Sequence, residues 1–198
     1  VWDNEKVDLI HDDGASFVQQ KIAGGSSYDI VIQDSSDPFF FDENGDKQVL
    51  PSSVLYTEEY FKALYQLLQP NHGVLMFQAE TYNIPSNLEE IKKWRSVLMN
   101  IGFENARYGT IAIPTYSTGQ IGFYVAHATT SQVETTCIDS ESSHEKGPTC
   151  TETNQSGEAD LSIITKYFDE MLAKTFYYHP KIHRSAFDLP LWVEESIY

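Results

Sequence analysis

The residues best suited to chemistry stand at the ends of apolar runs. Ile30-Val31-Ile32 leads into Gln33-Asp34-Ser35-Ser36-Asp37-Pro38, so two carboxylates three residues apart follow a β-branched stretch. In open α/β sheets, ligands bind just beyond the carboxyl ends of the strands. Two acids placed there can hold a cation and take a proton from it. The same residue types favour a helix cap or an Asx turn ahead of Pro38, and the pattern leaves both readings open. Asp12-Asp13-Gly14 follows Val7-Asp8-Leu9-Ile10 in the same way. A carboxylate there can accept from an amino group or a ribose hydroxyl, or it can cap the helix that follows. Gln78-Ala79-Glu80 repeats the theme after Val74-Leu75-Met76-Phe77. In Ile113-Pro114-Thr115-Tyr116-Ser117-Thr118-Gly119, Tyr116 offers an aromatic wall with a hydroxyl, or is an ordinary turn tyrosine. Three strand ends bearing acids or amides are a stronger signal than any one alone.

The elements that must position these residues show in the apolar periodicity. Val7–Ile10 and Tyr28–Ile32 are short β-rich runs, the second nearly continuous, as in a strand buried on both faces. Ala15, Val18 and Ile22 recur at helical spacing, with Gly24-Gly25 as the stop. A second helix starts near Thr57 and carries Tyr60, Phe61, Leu64 and Leu68 until Pro70 and Asn71-His72-Gly73 close it. Ser86 is placed to cap a third, with Leu88, Ile91, Trp94, Val97 and Leu98 on its stripe. The period then becomes two: residues 106–113 and 119–126 flank a short turn and predict a hairpin. The order is that of an α/β layered protein, a mostly parallel sheet finished by an antiparallel edge hairpin. Residues 129–160 hold 12 Ser/Thr and seven acidic residues against one Lys, which predicts a disordered acidic surface insertion. From Leu161 a helical pattern resumes through Leu172, and an aromatic tail follows with Phe176, Tyr177, Tyr178, Phe187 and Trp192. Tyr177-Tyr178 reads as core, His183 as surface or interface, and Phe39–Phe41 as a packing plug.

The charge balance excludes some classes of partner. Thirteen basic against 29 acidic residues in 198 give a net charge of −16. Nucleic acid and anionic membranes both call for a basic footprint, so neither is expected. A small cationic substrate suits such a field. No apolar run approaches the roughly 20 residues that span a bilayer, and the first residues lack the pattern of a signal peptide. The expectation is a soluble, cytoplasmic protein. Cys137, His144 and Cys150 lack ligand spacing, so no metal is expected.

Three motifs in register resemble the spermidine synthase family of polyamine aminopropyltransferases. They are Asp-Ser-Ser-Asp-Pro at 34–38, Ile-Pro-Thr-Tyr at 113–116 with Gly119-Gln120-Ile121-Gly122 after it, and Tyr177-Tyr178 leading to His183-Arg184-Ser185-Ala186-Phe187-Asp188-Leu189-Pro190. The likeness covers residues 1–128 and about 176–195. It implies a Rossmann-like, methyltransferase-type fold and transfer of an aminopropyl group from decarboxylated S-adenosylmethionine to putrescine, giving spermidine and methylthioadenosine. Decarboxylated S-adenosylmethionine is then a co-substrate, with no metal and no further cofactor, and the full-length enzyme is expected to be a homodimer. The resemblance assigns Asp34 as the base, Asp37 as the holder of the diamine and Tyr116 as an aid in positioning the amine. Gln78 and Ser35 join the amine side, while Asp13 and Gly14 contact the adenine end of the nucleoside.

The departures from that pattern matter as much. Residues 39–55 are longer and more aromatic than the family's short Gly-Pro-containing segment, a loop that lies over the acceptor site in relatives. Tyr82-Asn83 stands where an aromatic residue, often Trp, usually follows the Gln-x-Glu motif, and Ser117 replaces a Pro often found after the motif tyrosine. The family's Gly-rich loop and its ribose-binding acid do not appear. In the family's strand order two further strands lie between the strand at Val7 and the strand at Tyr28. The expectation is that these two do not pair, and that the 198 residues are the C-terminal two-thirds of a longer enzyme, inactive alone. Sibling enzymes with another acceptor, such as spermine or thermospermine synthase or a putrescine N-methyltransferase, remain alternatives. So does a catalytically silent partner subunit.

Overall fold

The computed structural model describes residues 4–129 and 177–198. The reading of 129–160 as an insertion, apart from Thr129, and the helical pattern at Leu161–Leu172 lie outside the described residues. Residues 4–129 and 186–198 are the described part of the sheet unit, and residues 177–185 are the described part of a second unit.

Local chemistry sets the elements of the sheet unit. Helix α1 (Gly14–Ala23) begins where the Asp13 carboxylate accepts from the Ser16 N–H at 2.8 Å, and it ends at Gly24. Strand β1 (Ile30–Gln33) follows, then a two-stranded hairpin of β2 (Phe39–Phe41) and β3 (Lys47–Val49), and a 3-10 turn at Pro51–Tyr56. Helix α2 (Glu58–Leu68) is capped by Thr57, whose hydroxyl accepts from Tyr60 N–H, and two glutamates in its first turn suit the helix dipole. Strand β4 (Val74–Ala79) leads to a turn at Pro85–Asn87 and then α3 (Leu88–Ile101). Ser86 does not cap α3: the turn begun by Pro85 runs straight into the helix and leaves Asn87 at the cap position. Gly102, at φ 116°, stops α3 in the left-handed region that favours glycine. Strands β5 (Glu104–Ala112) and β6 (Gln120–His127) form the expected hairpin.

The sheet runs β1-β4-β6-β5. β1 and β4 are parallel, with Ile30 opposite Val74 and Gln33 opposite Phe77. β6 then runs antiparallel to both β4 and β5. The mixed sheet thus joins a parallel pair to an edge hairpin, with β6 inside and β5 outside. Val7–Ile10, read from the sequence as a strand, forms none; as expected, it does not pair with β1.

The strand period decides which face is core. Leu75, Phe77 and Ala79 alternate inward from β4 and meet Tyr124 and Ala126 of β6 and Tyr108 of β5. Phe61, Leu64 and Leu68 of α2 and Ile91, Trp94 and Leu98 of α3 cover that face. Phe77 sits at the centre, stacked on Tyr124 at 5.4 Å and edge-on to Trp94 at 6.1 Å. β1 departs from the reading as a strand buried on both faces: Ile30 and Ile32 are 63% and 67% exposed, because they point to the face that α2 and α3 do not cover. Near the end of the chain, Ala186 O accepts from Thr110 N–H at 2.7 Å, and Phe187 packs edge-on against Phe123. Helix α5 (Leu191–Ile197) packs on α3 through buried Val193 and Ile197, and the Tyr198 hydroxyl accepts from Tyr108 N–H. In the second unit, α4 (Pro180–Ser185) brings His183 beside Tyr178, and Tyr177 is 57% exposed rather than core.

Glycine 122 marks the tightest point of the sheet. Tyr108 donates its hydroxyl to Glu80 O at 2.6 Å across β6, and a Cβ at Gly122 would collide with both groups. Overpacking of this kind typically costs about 1–3 kcal/mol. Gly122→Ala is therefore expected to lower stability by at least about 1 kcal/mol, read as a lowered urea midpoint. An unchanged midpoint would show that the crossing can relax.

Candidate active site

The carboxyl ends of β1 and β4 and the turn of the β5–β6 hairpin meet around one cleft of about 290 Å³. Its polar lining includes Asp34, Gln78 and Tyr116, and its apolar wall includes Ile32, Met76 and Ile113. The sheet's alternation explains this. Residues that point away from the α2–α3 core, such as Ile32, Met76 and Gln78, point into the cleft. Asp34 and Asp37 leave the strand end as exposed carboxylates, as a site reading requires. Asp37 joins the cleft group through a 3.1 Å hydrogen bond donated by Gln78 Nε2 to its Oδ1. Its backbone is held too: Ser52 donates its hydroxyl to Asp37 O, and Leu50 N–H donates to Pro38 O at 2.9 Å.

Tyr116 is 41% exposed on a compact turn, where Tyr116 N–H donates to Ile113 O and Gly119 N–H donates to Tyr116 O. Gly119, at φ 72°, completes that turn in a conformation other residues rarely adopt. Ser35 lies differently from the other candidates. Its hydroxyl donates to the Tyr56 hydroxyl at 3.1 Å and accepts from Gln33 Nε2 at 3.3 Å, so it fastens the strand end from behind and is not part of the cleft lining. Burial pushes the Tyr56 hydroxyl pKa up, keeping it neutral.

Asp13 and Gly14 stand apart from this cleft, at the start of α1. The Asp13 carboxyl caps that helix, and the N–H of Ser16 holds its pKa below the usual carboxylate range. One intermediary links them to the rest. Gln33 Nε2 donates to Leu55 O at 3.0 Å, while the Leu55 side chain lies against Gly14, 3.6 Å from where a Cβ would stand. The turn at Pro51–Tyr56 thus touches both the end of β1 and the start of α1.

Glu80 belongs to this neighbourhood although the sequence reading singled out Gln78 beside it. Its carboxylate accepts from Asn87 Nδ2 at 3.1 Å. Burial first and the Asp37 carboxylate second raise its pKa to about 7, with the charge of Lys47 working against both. The signal for Glu80 was the Gln-Ala-Glu run itself; the proximity of Asp37 and Lys47 comes from pairings that no local pattern reveals. The sign of the linked stability follows directly. A carboxyl whose pKa rises from 4.5 to about 7 on folding weakens the fold as pH climbs through that window, and the full deficit is present above it. Glu80→Gln is expected to raise Tm at pH 8 relative to the parent, with the gain gone by about pH 4.5. Part of Glu80 reaches solvent, so the gain is a modest one. A gain equal at both pH values would assign it to packing instead.

A parallel pair joined to an antiparallel edge hairpin, with helices packed on the sheet, fits the Rossmann-like, methyltransferase-type architecture that the resemblance implies. Solved structures agree on the fold. A spermidine synthase in complex with the transition-state analogue AdoDATO superposes with a TM-score of 0.61 at 20% identity, over 99% of this chain and 52% of that one. The spermidine synthase from Thermotoga maritima gives 0.58 at 20% identity. The spermine/spermidine synthase domain matches residues 1–136, and the chain belongs to that family. Among its relatives are the spermine synthase of Saccharomyces cerevisiae, 28% identical over 99% of this chain and 53% of the relative, and the polyamine aminopropyltransferase of Clostridioides difficile, 28% identical over 98% and 54%. Putrescine N-methyltransferase 2 of Nicotiana tabacum is also 28% identical, over 99% of this chain and 46% of the relative. The chain spans about half the length of these curated relatives.

Proposed function

We propose that the protein is an aminopropyltransferase that moves the aminopropyl group of decarboxylated S-adenosylmethionine to putrescine, giving spermidine and methylthioadenosine. The observation that carries the reading is the convergence of Asp34, Gln78 with its bonded Asp37, and Tyr116 at one cleft beyond a parallel strand pair. Family membership supports the reaction class.

The chemistry assigns work to each residue. A protonated amine is no nucleophile, so Asp34 takes its proton. The freed nitrogen lone pair forms a bond to the aminopropyl carbon attached to the sulfonium. The carbon–sulfur bond breaks, its electrons return to sulfur, and methylthioadenosine leaves as a neutral thioether. The sulfonium already activates the carbon, so the protein supplies alignment and charge. Asp37 holds the distal ammonium, with Gln78 fixing its carboxylate, and Tyr116 positions the attacking amine. Asp13 and Gly14 contact the adenine end from the far side of the Pro51–Tyr56 turn.

A second reading keeps the site and changes the acceptor or the transferred group. It rests on the β2–β3 hairpin, inserted directly after Asp37-Pro38 where the family has a short segment. Labelled decarboxylated and ordinary S-adenosylmethionine, each offered to the full-length protein with putrescine, spermidine and related amines, separates the readings. Aminopropyl transfer to putrescine is the expected result. Preference for spermidine, or methyl transfer, would select the sibling enzymes, and no transfer in any combination would leave a silent homologue.

Two substitutions test the roles. Asp34→Asn is expected to lower turnover by about 10²–10⁴-fold while nucleoside binding persists; more than about a tenth of the parent rate would remove its role as base. Asp37→Asn is expected chiefly to raise the amine KM. A collapsed rate at unchanged KM would exchange the two assignments.

A further inference from the structure

We infer that Lys47, on the inserted hairpin, is a positioning residue for Asp37 and thereby sets acceptor affinity; the inference rests on the amine-binding role of Asp37 proposed above. The chain of contacts is short. Asp37-Pro38 runs without a break into β2, whose first residue, Phe39, is 5% exposed. Phe39 packs at 6.5 Å on Trp94 of α3 and at 5.6 Å on Phe41. Lys47 of β3 lies opposite Phe41 in the ladder, and its ammonium sits 4.0 Å from the centre of the Phe39 ring. The same ammonium forms an ion pair with Glu90 of α3. One side chain therefore presses Phe39 onto Trp94 and ties the hairpin to a helix that already belongs to the core.

Apart from half-buried Phe41, which packs against the core, the rest of the hairpin has little else to hold it. β3 is exposed along its whole length, and Phe40 and Val49 are largely open to solvent. The turn between the strands is closed by its own groups, with Asp42 accepting from Asn44 N–H, Asp46 N–H and Gln48 Nε2. Such a turn keeps its shape but does not fix where the hairpin sits. Position is set at the Phe39–Lys47–Glu90 end, two residues from Asp37. The return strand then delivers Leu50 N–H to Pro38 O and the Ser52 hydroxyl to Asp37 O, so a hairpin that shifts pulls on both. An ammonium over an aromatic face and against a carboxylate is directional enough for this task.

Lys47 could also act only through its charge near Asp37 and Glu80, and the substitutions are chosen to separate the two. Lys47→Met removes the charge and the anchor, Glu90→Gln removes the partner and leaves the Lys47 charge, and Lys47→Arg keeps both. If Lys47 anchors, both Lys47→Met and Glu90→Gln raise the acceptor KM about tenfold, with kcat and the KM for the nucleoside co-substrate within about twofold. Lys47→Arg stays near the parent. A charge effect alone would leave Glu90→Gln unchanged, and a general loss of stability would move both KM values together; either result overturns the inference. A readout free of catalysis accompanies these. Hydrogen exchange at Leu50 N–H, which bonds Pro38 O, is expected to speed at least tenfold in Lys47→Met and in Glu90→Gln, while the β4 and β6 amides hold their rates. Unchanged exchange at Leu50 overturns the anchoring whatever the assays show. A parent protein that transfers nothing to any amine would instead defeat the functional reading, with the exchange data still deciding the anchor.

Discussion

Strand β4 has one register that satisfies both of its faces. Leu75, Phe77 and Ala79 must face α2 and α3, so Met76 and Gln78 must face the other way, into the cleft. A slip of one residue would carry Gln78 into the aromatic core and Phe77 into the cleft. The burial of Phe77 among Phe61, Trp94 and Tyr124 therefore fixes where the Gln78 amide stands. That amide in turn bonds Asp37. The orientation of a flexible carboxylate on a loop is thus secured by packing on the opposite side of the sheet.

Most of this frame was legible in the residue types. The helical stripes of α2 and α3 and the stop at Gly102 are strong local signals, and the period-two hairpin of β5 and β6 is equally plain. Three features were not. The exposure of Ile30 and Ile32 depends on what covers each face of β1, and periodicity in a four-residue strand carries no such information. Val7–Ile10 has the composition of a strand but no ladder, because strand propensity expresses itself only where a partner stands alongside. The hairpin of β2 and β3 hid inside an apparent loop: each strand is three residues long, and Phe-Phe-Phe shows no alternation.

The candidate site divides along the same line. Asp34, Gln78 and Tyr116 were readable because each lies at or near the end of a strand that announces itself. Ser35 was readable as a residue but not as a role. Its hydroxyl is taken up by Gln33 and Tyr56, a network assembled by the Pro51–Tyr56 turn some 20 residues away in sequence. Glu80 was visible in a motif, yet its raised pKa arises from burial, and then from Asp37, both of which the tertiary structure creates. Side chains that act through distant partners leave no local trace.

The site therefore has two kinds of support with different consequences. Asp34 follows directly from β1, and β1 is clamped by its parallel ladder to β4 and by Gln33 to Leu55 O. Its position depends on the core and resists local change. Asp37 stands three residues farther on and takes its place from Gln78 on one side and from the hairpin on the other. Exposed pairs contribute little to global stability, typically about 0–1 kcal/mol, so the hairpin can vary without unfolding the sheet. In the roles proposed above, a proton acceptor on the rigid element and a charge-holding acid on the adjustable one keep the reacting geometry fixed while the far end of the acceptor is selected. That division follows from where the two carboxylates leave the strand, one residue and four residues beyond its last ladder position.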